Sequence, residues 1–280
     1  MSNRLRKVVV NLAVIVVAVV MGKSIAMAQS REFRKTVEFT GGGNLRVHSD
    51  RGSVRLSGWA QNQIEVYALI SRPTGDRDFD PRSIELTQIE VLGDSSSLTI
   101  RANYDAIPGK DGNWGNRSIP EVHFEIRAPR NLNLRLEADR SKTELNGIEG
   151  RIELNTDRGN VSAENLVGEI RLRMDRGSAV MSGLRAKLDV RTDRGNATLN
   201  AAEITGDSYF ETDRGDIELR VPRSQGLYIS ANRNRRTGFE SDFAIATRTF
   251  SDDKVEGEIN GGGPRVTIKS DRGKARLKQQ

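Results

Sequence analysis

Asp-Arg-Gly occurs six times, at residues 50–52, 157–159, 175–177, 193–195, 213–215 and 271–273, and Asp139-Arg140-Ser141 is a seventh, imperfect copy. From 139 to 193 the copies fall 18 residues apart, and the next step is 20. A carboxylate beside a guanidinium, repeated at a fixed interval, offers two kinds of chemistry. As charge, a column of such pairs could face a repetitive anionic polymer or a cation. As backbone chemistry, the Asp side chain caps its own turn and the Gly supplies positive φ. The turn role accounts for Asp and Gly. The candidates for a ligand-facing ladder are Asp157, Arg158, Asp175, Arg176, Asp193, Arg194, Asp213 and Arg214. Calcium β-rolls use a Gly-Gly-x-Gly-x-Asp nonapeptide, and that spacing is absent.

Little else in the chain has the makings of a reactive centre. There are two histidines, His48 and His123, and no cysteine. Thiolate metal sites, cysteine nucleophiles, disulfide scaffolds and lipoprotein acylation are thereby excluded. Ser53 lies near His48 in sequence, but no nucleophile elbow accompanies it. Gly41-Gly42-Gly43 and Gly261-Gly262-Gly263 lack the Lys-Ser/Thr of a phosphate loop and open no helix. Trp59 is expected in the core. Trp114, in the Gly-rich stretch 105–118, is the candidate exposed aromatic contact, of a kind that stacks on sugars. No catalytic, cofactor-binding or metal-binding set emerges, and a non-enzyme without a cofactor is expected.

The elements that carry the tripeptides are legible from their period. After Gly159, Gly177 and Gly195 come the pairs Val161/Ala163, Ala179/Met181 and Ala197/Leu199, with Ser162, Val180 and Thr198 between them. Before the tripeptides come Ile152/Leu154, Ile170/Leu172 and Leu188/Val190. Alternation of this kind is a strand with one buried face. Each 18-residue unit therefore holds two short strands, one bend at Asp-Arg-Gly and another near Gly147, Asn165 or Gly183. Leu166 and Leu184 should point inward after that second bend. The outward charges Glu153, Arg171 and Asp189 sit at equivalent positions, where their alternating signs suggest a cross-strand ladder but a solvated face is the favoured reading. Burying about five apolar side chains per unit yields on the order of 10 kcal/mol. Ordering one unit costs about 20–30 kcal/mol of backbone entropy. A lone unit cannot fold, so the units must stack. The expected fold class is all-β, a β-solenoid or stack of β-arches. An 18-residue coil would also suit hexapeptide acyltransferases, but those place an apolar residue every six.

Other segments fit around the stack. Val54/Leu56, Trp59 and Ile64/Val66 read as a further unit with one extra residue. Residues 84–91, 98–104, 122–126 and 132–136 read as strands, 105–118 and 231–237 as loops, and Val266/Ile268 with Ala275/Leu277 as the last strand pair. No amphipathic helix is expected after residue 29.

The first 28 residues read as an export signal. Arg4, Arg6 and Lys7 precede an apolar run from Val8 to Met21, and Ala26-Met27-Ala28 offers small residues at a cleavage site. The run is short of the roughly 20 residues that cross a bilayer. No later stretch is apolar enough to do so, so the mature chain should have no membrane span. Residues 29–280 form one β-repeat domain, most regular over 131–221. The formal charge of +6 comes mostly from the signal, which holds four basic residues and no acid, leaving 40 basic and 38 acidic residues. A nearly neutral, exported chain argues against nucleic acid as partner.

The run Ile126-Arg127-Ala128-Pro129, the alternating Leu132/Leu134/Leu136, the Thr-Asp-Arg-Gly turns and the closing Asn260-Gly261-Gly262-Gly263-Pro264 resemble an exported bacterial β-strand-repeat family of unknown function, labelled a putative adhesin. The resemblance covers about residues 33–278. It implies an adhesin-like role and supplies no catalytic residues. The reading is an exported, non-enzymatic structural or binding module of the periplasm, cell envelope or surface. Its partner would be an envelope polysaccharide or a surface protein. The alternative is a polysaccharide lyase or hydrolase on a β-helix. That enzyme needs an Asp/Arg/Lys cluster breaking the repeat, whereas the charges here are evenly spread.

Overall fold

A computed structural model describes residues 30–77, 79–108, 119–232, 238–251 and 253–280. The segment 1–28 expected to be an export signal and Trp114 lie outside the described residues, as do 109–118 of the expected loop over 105–118 and 233–237 of that over 231–237, whose first two residues instead end the strand Leu227–Asn232.

The chain is all-β. Its centre is a solenoid-like stack of seven rungs in chain order: 44–57, 133–146, 151–164, 169–182, 187–200, 207–220 and 265–278. Every rung is a strand, an Asp-Arg bend and a second strand. Equivalent strands pair in parallel from rung to rung, as in Ile170↔Ile152 and Ala179↔Val161. The extended chain Val167–Ile204 runs through bends and so supplies two whole rungs. The two strands of each rung belong to opposite sheets, with the core between them.

The alternation sets that core. Val47, Leu136, Leu154, Leu172, Val190, Phe210 and Ile268 occupy one position on successive rungs, and all are buried. Leu56, Leu145, Ala163, Met181, Leu199, Leu219 and Leu277 face them from the second sheet. Leu166 and Leu184 are buried at the second bend, as expected. That bend takes the left-handed backbone its residues suit: φ is 69° at Gly147, 55° at Asn165 and 64° at Gly183.

Two long insertions fall at the two ends of the stack, where they cost no rung-to-rung pairing. Residues 60–132 follow the first rung. Within them Ser97–Asn103 and Glu121–Pro129 extend the two sheets in parallel, and Gln88–Gly93, Gln63–Ser71 and Ser30–Glu38 add antiparallel strands beyond. Residues 221–264 do the same at the far end through Leu227–Asn232, Gly238–Ser241, Lys254–Ile259 and Ala246–Phe250.

Three expectations are corrected here. Ile64 and Val66 are buried, but their strand runs antiparallel to its neighbours and forms part of the end cap, not a rung. Trp59 is half-buried at the rim, its Nε1 donating to the Gln63 carbonyl at 2.9 Å. Residues 84–91 are not one strand: Arg82–Leu86 is a short helix that opens at Pro81 and closes where the Thr87 hydroxyl donates to the Ser83 carbonyl at 2.7 Å. Among the described residues no helix is long and apolar enough to cross a membrane.

Candidate functional site

The stacking brings all seven Asp-Arg pairs to one edge. The residue before each Asp turns inward, and at three bends its hydroxyl is hydrogen-bonded. Thr212 Oγ1 donates to the Gly215 carbonyl at 3.2 Å, Ser270 Oγ donates to the Gly273 carbonyl at 2.9 Å, and Ser49 Oγ meets Ser141 Oγ at 2.9 Å. Thr156 and Thr192 hold the same inward place with Oγ1 buried and without a hydrogen-bond partner. Three residues after the Asp, amide side chains tie rung to rung: Asn160 Oδ1 accepts from Ser178 N, and Asn196 Oδ1 accepts from Asp216 N. The expected positive φ is found only at Gly52 and Gly177 of the six glycines; what the position shares is close packing against the neighbouring rung, where a Cβ on Gly215 would lie 2.1 Å from the Gly195 carbonyl oxygen.

Asp and Arg form two adjacent outward columns, the aspartates half-buried except Asp271 and the arginines exposed except Arg51. The eight residues singled out in the sequence all lie in them, joined by Asp50-Arg51, Asp139-Arg140 and Asp271-Arg272. Four arginines reach their own aspartates through Nε: 3.5 Å at Arg158, 3.4 Å at Arg176, 3.1 Å at Arg194 and 3.4 Å at Arg214. Arg272 also reaches back one rung, Nη2 to Asp213 Oδ1 at 3.1 Å. Rungs about 4.8 Å apart crowd the carboxylates. Partial burial and the neighbouring Asp157 push the Asp139 carboxyl above its ordinary range. Asp157 is itself held low, because hydrogen bonding from Asp139 and Asp175 and the charges of Arg158 and Arg176 outweigh its desolvation.

A second row, two residues before each Asp, lies on the same face by the period of two. It reads His48, Glu137, Asn155, Arg173, Arg191, Glu211 and Lys269 along the stack. The two rows wall a groove of about 770 Å³ that crosses all seven rungs, with the inward-turned Ala138, Thr156, Met174, Thr192, Thr212 and Ser270 along its floor. His48 Nε2 lies 3.3 Å from Asp50 Oδ1 and its Nδ1 3.5 Å from Glu137 Oε2, which raises its pKa above the ordinary imidazole value. Arg173 pairs with Asp189 at 3.1 Å, and Arg191 bridges Asp189 and Glu211 at 3.3 and 3.7 Å. Among the outward charges, Arg171 lies beside Glu153 in register and meets Asp189 at 3.3 Å. Sequence reasoning missed this second row because no one residue type runs through it.

The structure also joins residues left unconnected by the sequence. Ser53 Oγ lies 3.0 Å from His123 Nδ1, and His123 Nε2 lies 3.8 Å from Glu121 Oε2. The three sit on an open sheet face. Ser53 pairs with His123 on one side and Lys142 on the other, so the backbone amides there are committed to ladders and leave no oxyanion donors. Among the described residues no three acidic or imidazole groups converge as metal ligands.

A model of the Toastrack DUF4097 family matches residues 44–278. No curated protein matches the chain in sequence. Solved structures resemble it in fold. One is described as a putative lipid binding protein from Parabacteroides distasonis, with 10% identity, 88% of this chain and 97% of that chain covered, and a TM-score of 0.50. A putative adhesin from Bacteroides fragilis shows 13% identity over 89% and 97% of the two chains, with a TM-score of 0.46. A putative cell adhesion protein from Clostridium sporogenes shows 13% identity over 90% and 100%, with a TM-score of 0.37. At these identities the likeness is one of fold.

Proposed function

This chain belongs to the Toastrack DUF4097 family, and from that premise we propose that it is an exported, non-enzymatic, adhesin-like β-repeat module that binds an extended polymer of the cell envelope or surface, a polysaccharide first among them. One observation carries the reading: the groove crosses seven rungs and on six of them is built from the same two positions, with His48 alone from the first. Chemistry repeated along a line suits a ligand that is itself long and repetitive. A hydrolase or lyase concentrates its acid, base and binding groups at one place. The N-terminal segment over 1–28, with its basic start, apolar run and Ala-Met-Ala, supports export.

The test is capture. The mature chain is immobilised at low salt and exposed to solubilised envelope fractions and purified cell-wall glycans. Retention of a polymer, recovered uncut, is the expected result. Retention of nothing from any fraction overturns the reading. So does depolymerisation that is lost when Asp157 or Asp175 becomes Asn, which would establish the enzymatic alternative.

A further inference from the structure

We propose that the bend edge is also a self-association surface, on which a second copy of this chain docks with its Asp column against the Arg column of the first. This goes beyond the groove reading and does not depend on it. The edge carries seven aspartates and seven arginines in register and is close to neutral. A polymer of a single charge sign would lose on one column what it gained on the other. A partner that presents both signs, in two columns, gains on both.

Symmetry and spacing narrow that partner to another copy. A two-fold axis parallel to the stack places each Asp column opposite an Arg column. A two-fold axis across the stack, in the plane of contact, sets Asp on Asp and Arg on Arg. Only the parallel arrangement is attractive, and it is isologous, the commonest oligomeric symmetry. The contact runs about 29 Å, six steps of about 4.8 Å each. A partner of any other rise drifts out of step over that length, whereas a second stack of the same rise stays in register at every rung.

The side chains are poised for it. Arg158, Arg176 and Arg214 hold their own aspartates through Nε, and about half of each arginine side chain is exposed. That leaves the planar Nη pair able to take a second carboxylate in bidentate fashion. At the first rung Arg51 is engaged by Glu121 at 3.4 Å, so the pairing weakens toward that end. Exposed ion pairs are individually weak and screened by salt. The association should therefore be of low affinity and fall steeply with ionic strength.

Sedimentation equilibrium of the mature chain provides the test, in about 10 mM salt, where the Debye length is about 30 Å, and in about 1 M, where it is about 3 Å. One triple variant, Asp157→Lys/Asp175→Lys/Asp193→Lys, makes the middle of the edge wholly positive. The other, Arg158→Glu/Arg176→Glu/Arg194→Glu, makes it wholly negative. Circular dichroism confirms that each keeps its β content, and a milder pair with Asn and Gln replaces any that does not. The wild type should shift toward twice the monomer mass at low salt and return to monomer at high salt. Each charge-reversed variant alone should remain monomeric, and an equimolar mixture of the two should associate. A wild type that stays monomeric at low salt and high concentration overturns the proposal. So does a dimer indifferent to either triple variant, or a mixture that stays monomeric.

Discussion

The two bends of a rung make opposite demands on a glycine, and a pair of alanine substitutions should separate them. Gly147 has φ of 69°, and a Cβ there would meet nothing within 4 Å. Gly147→Ala then pays only for a left-handed alanine, about 1–2 kcal/mol. The reduced freedom of the unfolded chain offsets about 0.4–1 kcal/mol of this. The expected net loss is about 1 kcal/mol. Asn165, at the equivalent bend with φ of 55°, shows that the position tolerates a side chain. Gly177 has φ of 122°, and its Cβ would lie 2.2 Å from the Gly159 carbonyl oxygen. That is more than about 1 Å inside ordinary carbon–oxygen contact. The fourth rung must lift off the third at the bend, losing about two ladder hydrogen bonds at about 0.5–1.5 kcal/mol each. Backbone strain adds about 1–3 kcal/mol. Gly177→Ala should therefore cost about 2–6 kcal/mol. Ser141, which fills this place on the second rung, does so with φ outside the left-handed region and its hydroxyl on Ser49. Urea denaturation followed by far-UV circular dichroism measures both losses. Equal losses for the two variants would refute the claim that bend glycines are required by rung-to-rung contact.

Three further outcomes follow from the geometry and one from the N-terminal sequence. Thr143 stands in a core column between Val54 and Val161 with its buried Oγ1 lacking a hydrogen-bond partner, so Thr143→Val should stabilise by about 1 kcal/mol in the same denaturation assay. His48, raised by Asp50 and then Glu137, contributes stability that is present below the unfolded imidazole value near 6.5 and lost as pH rises through its higher folded value. With only two histidines in the chain, proton NMR should resolve His48 titrating above 6.5, and a value at or below 6.5 contradicts the contact. Asp139 is raised, so its charged form destabilises the fold above its folded pKa; Asp139→Asn should raise the melting temperature at pH 7 and leave it unchanged near pH 3. Export should yield a mature chain beginning at Gln29, checked by N-terminal sequencing; an intact Met1 on exported protein contradicts the signal reading.

The sequence announces what is local and repeated. Alternation through Val161, Ala163, Ile170 and Leu172 specifies strands and their buried faces, and the Asp-Arg-Gly spacing marks the rung. The second bend was legible because Gly147, Asn165 and Gly183 are residues that accept positive φ. What depends on distant partners was not legible. The period of Ile64 and Val66 specifies a strand but says nothing of its antiparallel neighbours, so a cap strand reads like a rung. Ile84, Leu86, Ile89 and Val91 look like one apolar strand, and only Pro81 and Thr87, which open and close a single helical turn, decide otherwise. The groove was half visible. Its Asp wall repeats one residue type, whereas the facing wall from His48 to Lys269 shares only polarity and becomes a row when the rungs stack.

The most direct test of the binding account compares two faces of the same molecule. The affinity of the captured envelope polymer is measured for the wild type, for Arg173→Glu/Arg191→Glu in the groove, and for Arg55→Glu/Lys142→Glu on the opposite sheet, where both side chains are more than 60% exposed. The account expects the groove variant to bind at least about tenfold more weakly, a change of about 1.4 kcal/mol, and the opposite-sheet variant to bind like the wild type. Equal weakening of both, or of neither, would contradict it.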